Sequence, residues 1–190
     1  MSALGGRGCR RRRRLVAAGA TVLIAVAVLV AAACVPSYVS GAAVTLSDYE
    51  RQLVEQINLQ RTDAGLVALK VNAKLVDAAR AHSAEMGEYQ YMGHDSHDGE
   101  GFADRLIRFG YKKDGYRCWR AGEALAWGTG LYSSPVYIVG AWMDCKVHRD
   151  VIMKKSFRDI GVGVVSCDHY GDVEGPIWFF TFDAGRRIKK

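Results

Sequence analysis

The feature that most constrains this chain is an uninterrupted apolar stretch near its N-terminus. Residues 15–33 read LVAAGATVLIAVAVLVAAA and follow a block of arginines at positions 10–14. A basic segment, an apolar segment and an exit of small residues are typical of a signal peptide. An amphipathic core helix would show a polar face, and these 19 residues show none. We therefore predict that residues 1–34 are a signal peptide or a membrane anchor rather than part of a folded domain.

Three fates of this segment stay open. Cleavage after Ala33 would release the rest of the chain, because small residues there form an A-x-A-like site. Retention as a membrane anchor is also compatible with the length, since roughly 20 residues span a bilayer, and the arginines would then stay in the cytoplasm. Lipidation of Cys34 is the third fate, although Ala31 stands where a large aliphatic residue is expected. All three predict an extracytoplasmic domain, either secreted or anchored at the outer face of the membrane.

The formal net charge of +6 belongs to the targeting segment. Six of the 26 Lys and Arg residues lie at positions 7 and 10–14, and the remaining 20 balance the 20 Asp and Glu residues. Of those 20 cations, four crowd into residues 186–190. A nucleic-acid-binding domain needs a basic face that follows the phosphates. We therefore exclude nucleic acid as a partner.

Helices are predicted in the first half of the domain and again near residue 134. Ser47 and Glu50 have the spacing of a capping box, ahead of an apolar pattern that stops at Gly65. Asn72 begins a second helix, followed by a polar loop over 90–101 and a short helix over 102–109. The second helix carries an apolar stripe formed by Leu75, Ala79, His82 and Met86, in which His82 is expected to be a core residue. A Ser-Pro pair at 134–135 opens a later helix, with Val136, Val139 and Trp142 on its buried face.

Strands are predicted in the second half of the chain. The β-branched and aromatic runs at 160–165 and 177–182 indicate two strands, joined by a hairpin over 168–176. A third strand is predicted within 116–128. This order of elements indicates an α+β protein with a small sheet covered by helices, rather than a doubly wound parallel sheet. We assign residues 35–46 to a linker and 47–190 to one domain.

A series of short motifs, in order along residues 47 to about 182, resembles one protein family. The series includes Asn58-x-x-Arg61-x-x-x-Gly65-Leu66, Ala79-x-x-His82-Ser83, His94-Asp-Ser-His-Asp98-Gly99, Gly122-Glu123-Ala124-Leu125-Ala126, Trp142-Met143, His148-Arg149-x-x-Ile152 and Ile160-Gly161-Val162-Gly163. Together they resemble the CAP superfamily (cysteine-rich secretory, antigen 5, pathogenesis-related), in its bacterial SCP-like extracellular form. The resemblance implies an α-β-α sandwich, export, and a cleft lined by two histidines and two acids.

By that resemblance, His94, Glu123 and His148 occupy three of the four cleft positions. Histidine and glutamate are suitable zinc ligands, so these three residues are also the predicted metal ligands. The fourth position departs from the pattern, because Cys145 stands three residues after Trp142, where eukaryotic relatives have an acid. Either Asp144 substitutes for that acid, or the cleft lacks it, or the Cys145 thiolate completes a zinc site. Zinc is the only cofactor that the sequence suggests.

Three cysteines remain outside the targeting segment: Cys118, Cys145 and Cys167. An extracytoplasmic setting permits disulfides, and three cysteines allow one bridge in any of three pairings. If the family cleft brings Glu123 and His148 together, Cys118 and Cys145 come together with them. We therefore favour a Cys118–Cys145 disulfide, which would contribute on the order of 3 kcal/mol.

Three functions follow from these observations. The resemblance implies a non-enzymatic binding or effector domain for an extracellular lipid, sterol or protein ligand, with aromatic residues available to line a groove: Tyr89, Tyr91, Trp119, Trp127, Tyr132 and Tyr137. The alternative is a metal-assisted hydrolase or peptidase that uses His94, Glu123 and His148. The chain has no H-E-x-x-H or G-x-S-x-G motif. A third function is a structural role at the envelope, for which the N-terminal anchor alone would suffice.

Overall fold

The computed structural model describes residues 44–190. The predicted targeting segment, 1–34, and most of the predicted linker lie outside the described residues. The described residues belong to one compact unit. None of their helices is long and apolar enough to cross a membrane.

Five α-helices and four strands make up this unit. The long helices α1 and α2 come before the longest strands, as the sequence predicts. The helices are α1 (Asp48–Asp63), α2 (Ala73–Tyr89), α3 (Phe102–Arg108), α4 (Pro135–Asp144) and α5 (Lys146–Ile152), with one 3₁₀ turn at Gly130–Ser133. The strands are β1 (Lys70–Val71), β2 (Tyr116–Thr129), β3 (Asp159–Tyr170) and β4 (Val173–Lys189).

The four strands form one sheet in the order β1-β3-β4-β2. Strand β4 pairs antiparallel with both β3 and β2, and only the two-residue β1 is parallel to its neighbour. Consequently β2 is an edge strand along its whole length. Side chains of α1, α4 and α5 pack on one face of the sheet, and those of α2 and α3 pack on the other. The predicted α-β-α sandwich is confirmed.

The helix starts follow the local signals in the sequence. The Ser47 hydroxyl accepts from the Glu50 N–H at 3.3 Å, and the Glu50 carboxylate accepts from the Ser47 N–H at 2.8 Å. This reciprocal pair is the predicted capping box. The Asn72 side chain caps α2, and the Ser134 hydroxyl accepts from the Tyr137 N–H at the start of α4. These caps satisfy N–H groups that a helix start otherwise leaves unpaired.

Three details of the sequence prediction were wrong. Strands β3 and β4 extend to residues 170 and 173, because backbone pairing continues through polar residues that were assigned to a long hairpin loop. Helix α5 was not predicted, since seven residues are too short for a clear helical period. Val136 is 61% exposed, because the buried face of α4 is formed by Ile138, Val139 and Trp142.

Helix α2 lies directly on strand β3 at two glycines. A Cβ atom added to Gly161 would lie 2.1 Å from the Leu75 carbonyl carbon, and one added to Gly163 would lie 2.3 Å from the Ala79 carbonyl carbon. Both distances are far below van der Waals contact. The two glycines therefore set the distance between α2 and the sheet, and with it the position of the loop that follows α2.

We predict that Gly163→Ala lowers the free energy of unfolding by about 1–3 kcal/mol or more, because the added methyl group overlaps the backbone of α2. The matched control is Gly140→Ala in α4, where an added Cβ meets no atom within 4 Å. That substitution is expected to stabilise the protein by up to about 1 kcal/mol, as alanine is the better helix former. Urea denaturation measures both, and equal effects of the two substitutions would contradict the close approach.

Candidate functional site

The site is built around the side chain of Glu123, which lies on the edge strand β2 and is fully buried. His94, in the loop after α2, donates from Nδ1 to Glu123 Oε1 at 2.8 Å. Arg105, on α3, donates from its guanidinium to Glu123 Oε2 at 2.5 Å. Both carboxylate oxygens therefore have cationic or donor partners. The contact between His94 and Glu123 agrees with the cleft predicted from the sequence.

Arg105 is 1% exposed and joins three parts of the site. Besides its bond to Glu123, the guanidinium donates to the backbone carbonyl of His94 at 3.1 Å and to the Ser96 hydroxyl at 3.0 Å. Arginine suits this role, because its planar fork can donate in several directions while its charge stays paired. The buried ion pair thus fixes the backbone of the loop as well as the carboxylate.

A second group of polar contacts holds the same loop against α2. Within it, His82 is fully buried and contacts the Gly93 carbonyl through Nε2 at 2.8 Å. The Glu85 carboxylate accepts from the Tyr91 hydroxyl at 2.8 Å and from the His97 N–H at 3.0 Å. Burial, together with the charge of Arg105, lowers the pKa of His82 and favours its neutral form. His82 is thus the core histidine that the sequence predicted.

Asp183 lies beside Glu123 on the neighbouring strand. The two residues are directly opposite in the β2–β4 ladder, so their side chains share one face of the sheet. Asp183 is completely buried, and neither of its carboxyl oxygens has a hydrogen-bond partner within residues 44–190. Burial and then the charge of Glu123 raise the pKa of Asp183 well above its usual range. This shift favours the neutral form of Asp183, which avoids a second buried negative charge beside Glu123.

The surroundings of the two histidines of the predicted cleft shift their pKa values in opposite directions. The hydrogen bond to Glu123 raises the pKa of His94, whose side chain is 56% exposed. Burial, and then the charge of His94, lower the pKa of His148 on α5. His94 is thus the exposed member of the site, and its raised pKa favours the protonated, positively charged form.

The structure does not place the other predicted cleft residues in this cluster. Asp144 is exposed and lines a shallow depression on α4 with Tyr137 and Gly140. Cys145 is exposed at the junction between α4 and α5. A zinc site is not formed either, since residues 44–190 contain no group of three or more His, Cys, Asp or Glu side chains placed to hold a metal ion.

The donor set around Glu123 does not suit a metal ion. Its two carboxylate oxygens are engaged by His94 and Arg105. A guanidinium 2.5 Å from one of them repels a second cation at that position. Glu123 therefore does not fit the role of a zinc ligand in this arrangement.

The predicted Cys118–Cys145 disulfide is not formed. Cys118, Cys145 and Cys167 are free thiols in the part of the chain that the structure describes. The predicted disulfide assumed that Cys118 lies close to Glu123, and Cys145 close to His148, so that both cysteines meet at the cleft. Five residues of extended strand instead separate Cys118 from Glu123 by roughly 16 Å, at about 3.3 Å per residue.

The sequence analysis missed Arg105 and Asp183 as site residues. Arg105 was recognised only as part of a short amphipathic helix, and its partner Glu123 is 18 positions away. A signal for Asp183 does exist, because it is an acid enclosed by apolar residues, between Phe182 and Ala184, in a strand that is otherwise buried. An ionisable residue at such a position commonly marks a site where polar groups meet inside the protein.

A comparison with protein families identifies the family of this domain. Residues 54–183 match the family model described as CAP, the cysteine-rich secretory protein family. This match covers more than half of the chain and includes His94, Arg105, Glu123, His148 and Asp183. The chain belongs to the CAP family. The resemblance stated from short motifs is thereby confirmed for this domain.

Relatives of this CAP domain occur in longer proteins. The domain is similar to YkwD of Bacillus subtilis, with 33% identity over 138 residues that cover 73% of this chain and 48% of YkwD. It is also similar to the membrane protein YlbC of the same organism, with 28% identity over 116 residues that cover 60% of this chain and 31% of YlbC. The chain thus spans about half the length of YkwD and about a third of YlbC.

Solved structures share the fold. An extracellular protein with an SCP domain from Bacillus anthracis aligns with a TM-score of 0.56 and 25% identity, covering 78% of this chain and 45% of that one. An outer surface protein from Borrelia burgdorferi aligns with a TM-score of 0.55 and 18% identity, covering 80% of this chain and all of that one. At 18% identity the second likeness concerns the fold alone.

We predict that Glu123→Gln lowers the pKa of His94, because the hydrogen bond and the charge of Glu123 are what raise it. The raised pKa stabilises the folded state fully below about pH 6.5, the unfolded value, and this contribution is lost as the pH rises through the folded value. The difference in the free energy of unfolding between the wild type and Glu123→Gln should therefore become smaller as the pH rises from about 6.5 through the folded-state pKa of His94. Histidine NMR titration, with exposed His169 as the internal control, measures the shift. An unchanged His94 titration would contradict the assigned contact.

Proposed function

We propose that this CAP domain is an extracytoplasmic, non-enzymatic binding domain for an amphipathic ligand such as a lipid or sterol. The proposal rests on the observation that both carboxylate oxygens of Glu123 already have hydrogen-bond partners within the protein. Its carboxylate oxygens are bonded to His94 and Arg105, and the carboxylate is fully buried. A general base or a metal ligand needs a lone pair directed at a substrate or an ion. Here that role is replaced by a structural one, in which Glu123 orients the loop carrying His94.

The extracytoplasmic location is supported by two independent observations. The N-terminal block of arginines and the apolar stretch at 15–33 have the order of an export signal. The solved structures that share the fold include an extracellular protein from Bacillus anthracis that is 25% identical. A targeting signal and this extracellular protein together support export of this chain as well.

An exposed apolar surface supports a lipid or sterol as the ligand class. We define the aromatic surface as four exposed residues around the 3₁₀ turn and the start of α4: Leu131, Tyr132, Val136 and Tyr137. Leu131 is 89% exposed. The rings of Tyr132 and Tyr137 contact each other edge to face, with their centroids 4.9 Å apart. Adjacent exposed apolar residues of this kind mark interaction sites, because leaving them in water is unfavourable. Trp119 and Tyr91, by contrast, are partly buried against the core.

The proposal is tested by titrating the protein with a fluorescent fatty acid and a fluorescent sterol. Leu131→Ser combined with Tyr137→Ser is expected to weaken binding of at least one probe about 10-fold or more, since a buried leucine contributes about 1.5–3 kcal/mol. Leu59→Ser is the matched control, as Leu59 is 49% exposed on α1, outside the aromatic surface. The N-terminal apolar stretch also takes up lipid, so the readout is the difference between the variant and the control.

Two results would contradict the proposal. Equal binding by the double variant and the Leu59→Ser control would remove the aromatic surface from ligand recognition. Stoichiometric zinc in protein purified without metal-affinity steps, lost in His94→Ala or His148→Ala, would restore the metal-assisted hydrolase alternative. A protein ligand would be favoured if neither probe binds while the domain still captures an extracellular protein through the same residues.

A further inference from the structure

A group of cations surrounds a surface pocket at the end of α5, beside the edge strand β2. The pocket has a volume of about 490 Å³ and is lined by Arg120, Asp150, Met153, Lys154, Lys155 and Ser156. Three of these side chains are cations and one is an acid. The acid, Asp150, already forms an ion pair with Lys146 at 2.6 Å. The lining therefore carries an excess of positive charge.

Two further arginines lie behind this pocket. Arg186 donates from its guanidinium to the Ser156 carbonyl at 3.3 Å. Arg158 donates to the Lys155 carbonyl at 2.7 Å and to the Phe157 carbonyl at 2.6 Å. The backbone of the lining segment is thus held by arginines on its inner side. Its own lysines, Lys154 and Lys155, are exposed on the outer side.

Arg120 and Arg186 are directly opposite each other in the β2–β4 ladder. Side chains at such positions share one face of the sheet, with Cβ atoms about 5 Å apart, and like charges there destabilise the pairing. Arg120 is exposed, so solvent screens part of this repulsion, and an anion bound between the two groups would offset the remainder.

Asp150 is the one acid that lines the pocket, and Lys146 already forms an ion pair with it. Within residues 44–190, ion pairs join seven other combinations of residues, and none includes Arg120, Lys154 or Lys155. The chain beyond the targeting segment is formally neutral, so this excess is local and does not reflect a generally basic domain. The hydrogen bond from Lys146, and the charges of Arg149 and Lys154, lower the pKa of Asp150, as expected in a positive field.

We propose that this pocket, formed by Arg120, Lys154 and Lys155, binds a phosphate group. An arginine fork matches two phosphate oxygens, and lysines add point charges around it. A phosphate monoester neutralises more of the excess than a single carboxylate does, a phosphodiester neutralises as much, and either offsets the repulsion between Arg120 and Arg186. The phosphate belongs either to an anionic lipid headgroup or to a soluble phosphate ester.

This site is separate from the cluster around Glu123. Arg120 and Glu123 are three residues apart on β2, and side chains at odd spacing on a strand point to opposite faces of the sheet. Substitutions in the phosphate pocket therefore leave the contacts of His94 and Arg105 in place. Failure of the phosphate site would not affect the proposed function, and the two can be tested in separate variants.

The test is thermal unfolding of the full chain in neutral-detergent micelles, with inorganic phosphate compared with chloride at equal ionic strength. We expect phosphate to raise the melting temperature of the wild type in a saturable manner. Arg120→Gln combined with Lys154→Gln should require about 10-fold or more phosphate for the same increase, because it removes two charged partners. Lys112→Gln, at an exposed lysine between α3 and β2, is the matched control and should behave like the wild type.

The stability of Arg120→Gln relative to the wild type, with and without phosphate, distinguishes phosphate binding from a general effect of salt. Without phosphate, Arg120→Gln should be at least as stable as the wild type, because the repulsion from Arg186 is removed. With phosphate, the wild type should become the more stable protein. Equal phosphate responses of the wild type, the double variant and the Lys112→Gln control would overturn the proposal. So would a wild type that is already more stable than Arg120→Gln in chloride and gains nothing in phosphate.

The source of the phosphate is distinguished in two further arms. One adds glycerol phosphate in solution, and the other adds phosphatidylglycerol to the micelles at the same phosphate content. A response to phosphatidylglycerol alone that is lost in the double variant identifies a lipid headgroup, and a response to glycerol phosphate identifies a soluble ester. No response of the wild type to either compound or to inorganic phosphate would overturn the site.

Discussion

A buried ion pair between Arg105 and Glu123 is the interaction on which the site depends. It connects a short helix, the loop after α2 and the edge strand of the sheet, which are far apart in the sequence. Removing a charge pair from water is unfavourable, and the attraction between the partners compensates for it only when the remaining hydrogen-bond positions are also filled. The backbone carbonyl of His94 and the hydroxyl of Ser96 fill most of them, whereas the Nε atom of Arg105 has no hydrogen-bond partner within residues 44–190. The pair therefore requires the loop conformation that it helps to fix.

This requirement explains why His94 is presented as it is. Its imidazole donates to Glu123 while most of its surface remains in solvent, so the carboxylate both orients the ring and favours its charged form. Asp183 lies beside Glu123, and burial raises its pKa, which favours the neutral form and avoids a second negative charge. The sheet supplies the rest of the geometry. Close packing of α2 on Gly161 and Gly163 sets the distance between the helix and the sheet, and with it the position of the loop that follows α2.

Much of this architecture could be predicted from the sequence, for identifiable reasons. The caps at Ser47 and Asn72 are local signals that need no tertiary information. His94 and Glu123 were predicted as cleft residues from a family resemblance, and the two side chains are in contact in the structure. What could not be predicted depends on long-range geometry. Arg105 is recognised as a site residue only once α3 is placed against β2. The predicted proximity of Cys118 and Cys145 was wrong, because Cys118 lies several residues from Glu123 along an extended strand.

The central claim is that Arg105 and Glu123 form one structural unit. A double-mutant cycle measures it, using Arg105→Met, Glu123→Gln and the combined variant, with the free energy of unfolding from urea denaturation. Each single substitution leaves a buried charged or polar group without its partner, for which a loss of about 3–5 kcal/mol is expected. The account predicts that the combined loss is smaller than the sum of the single losses by at least about 1 kcal/mol, since contacting residues are coupled. Additive losses would contradict it, because they would mean that the two side chains stabilise the protein independently.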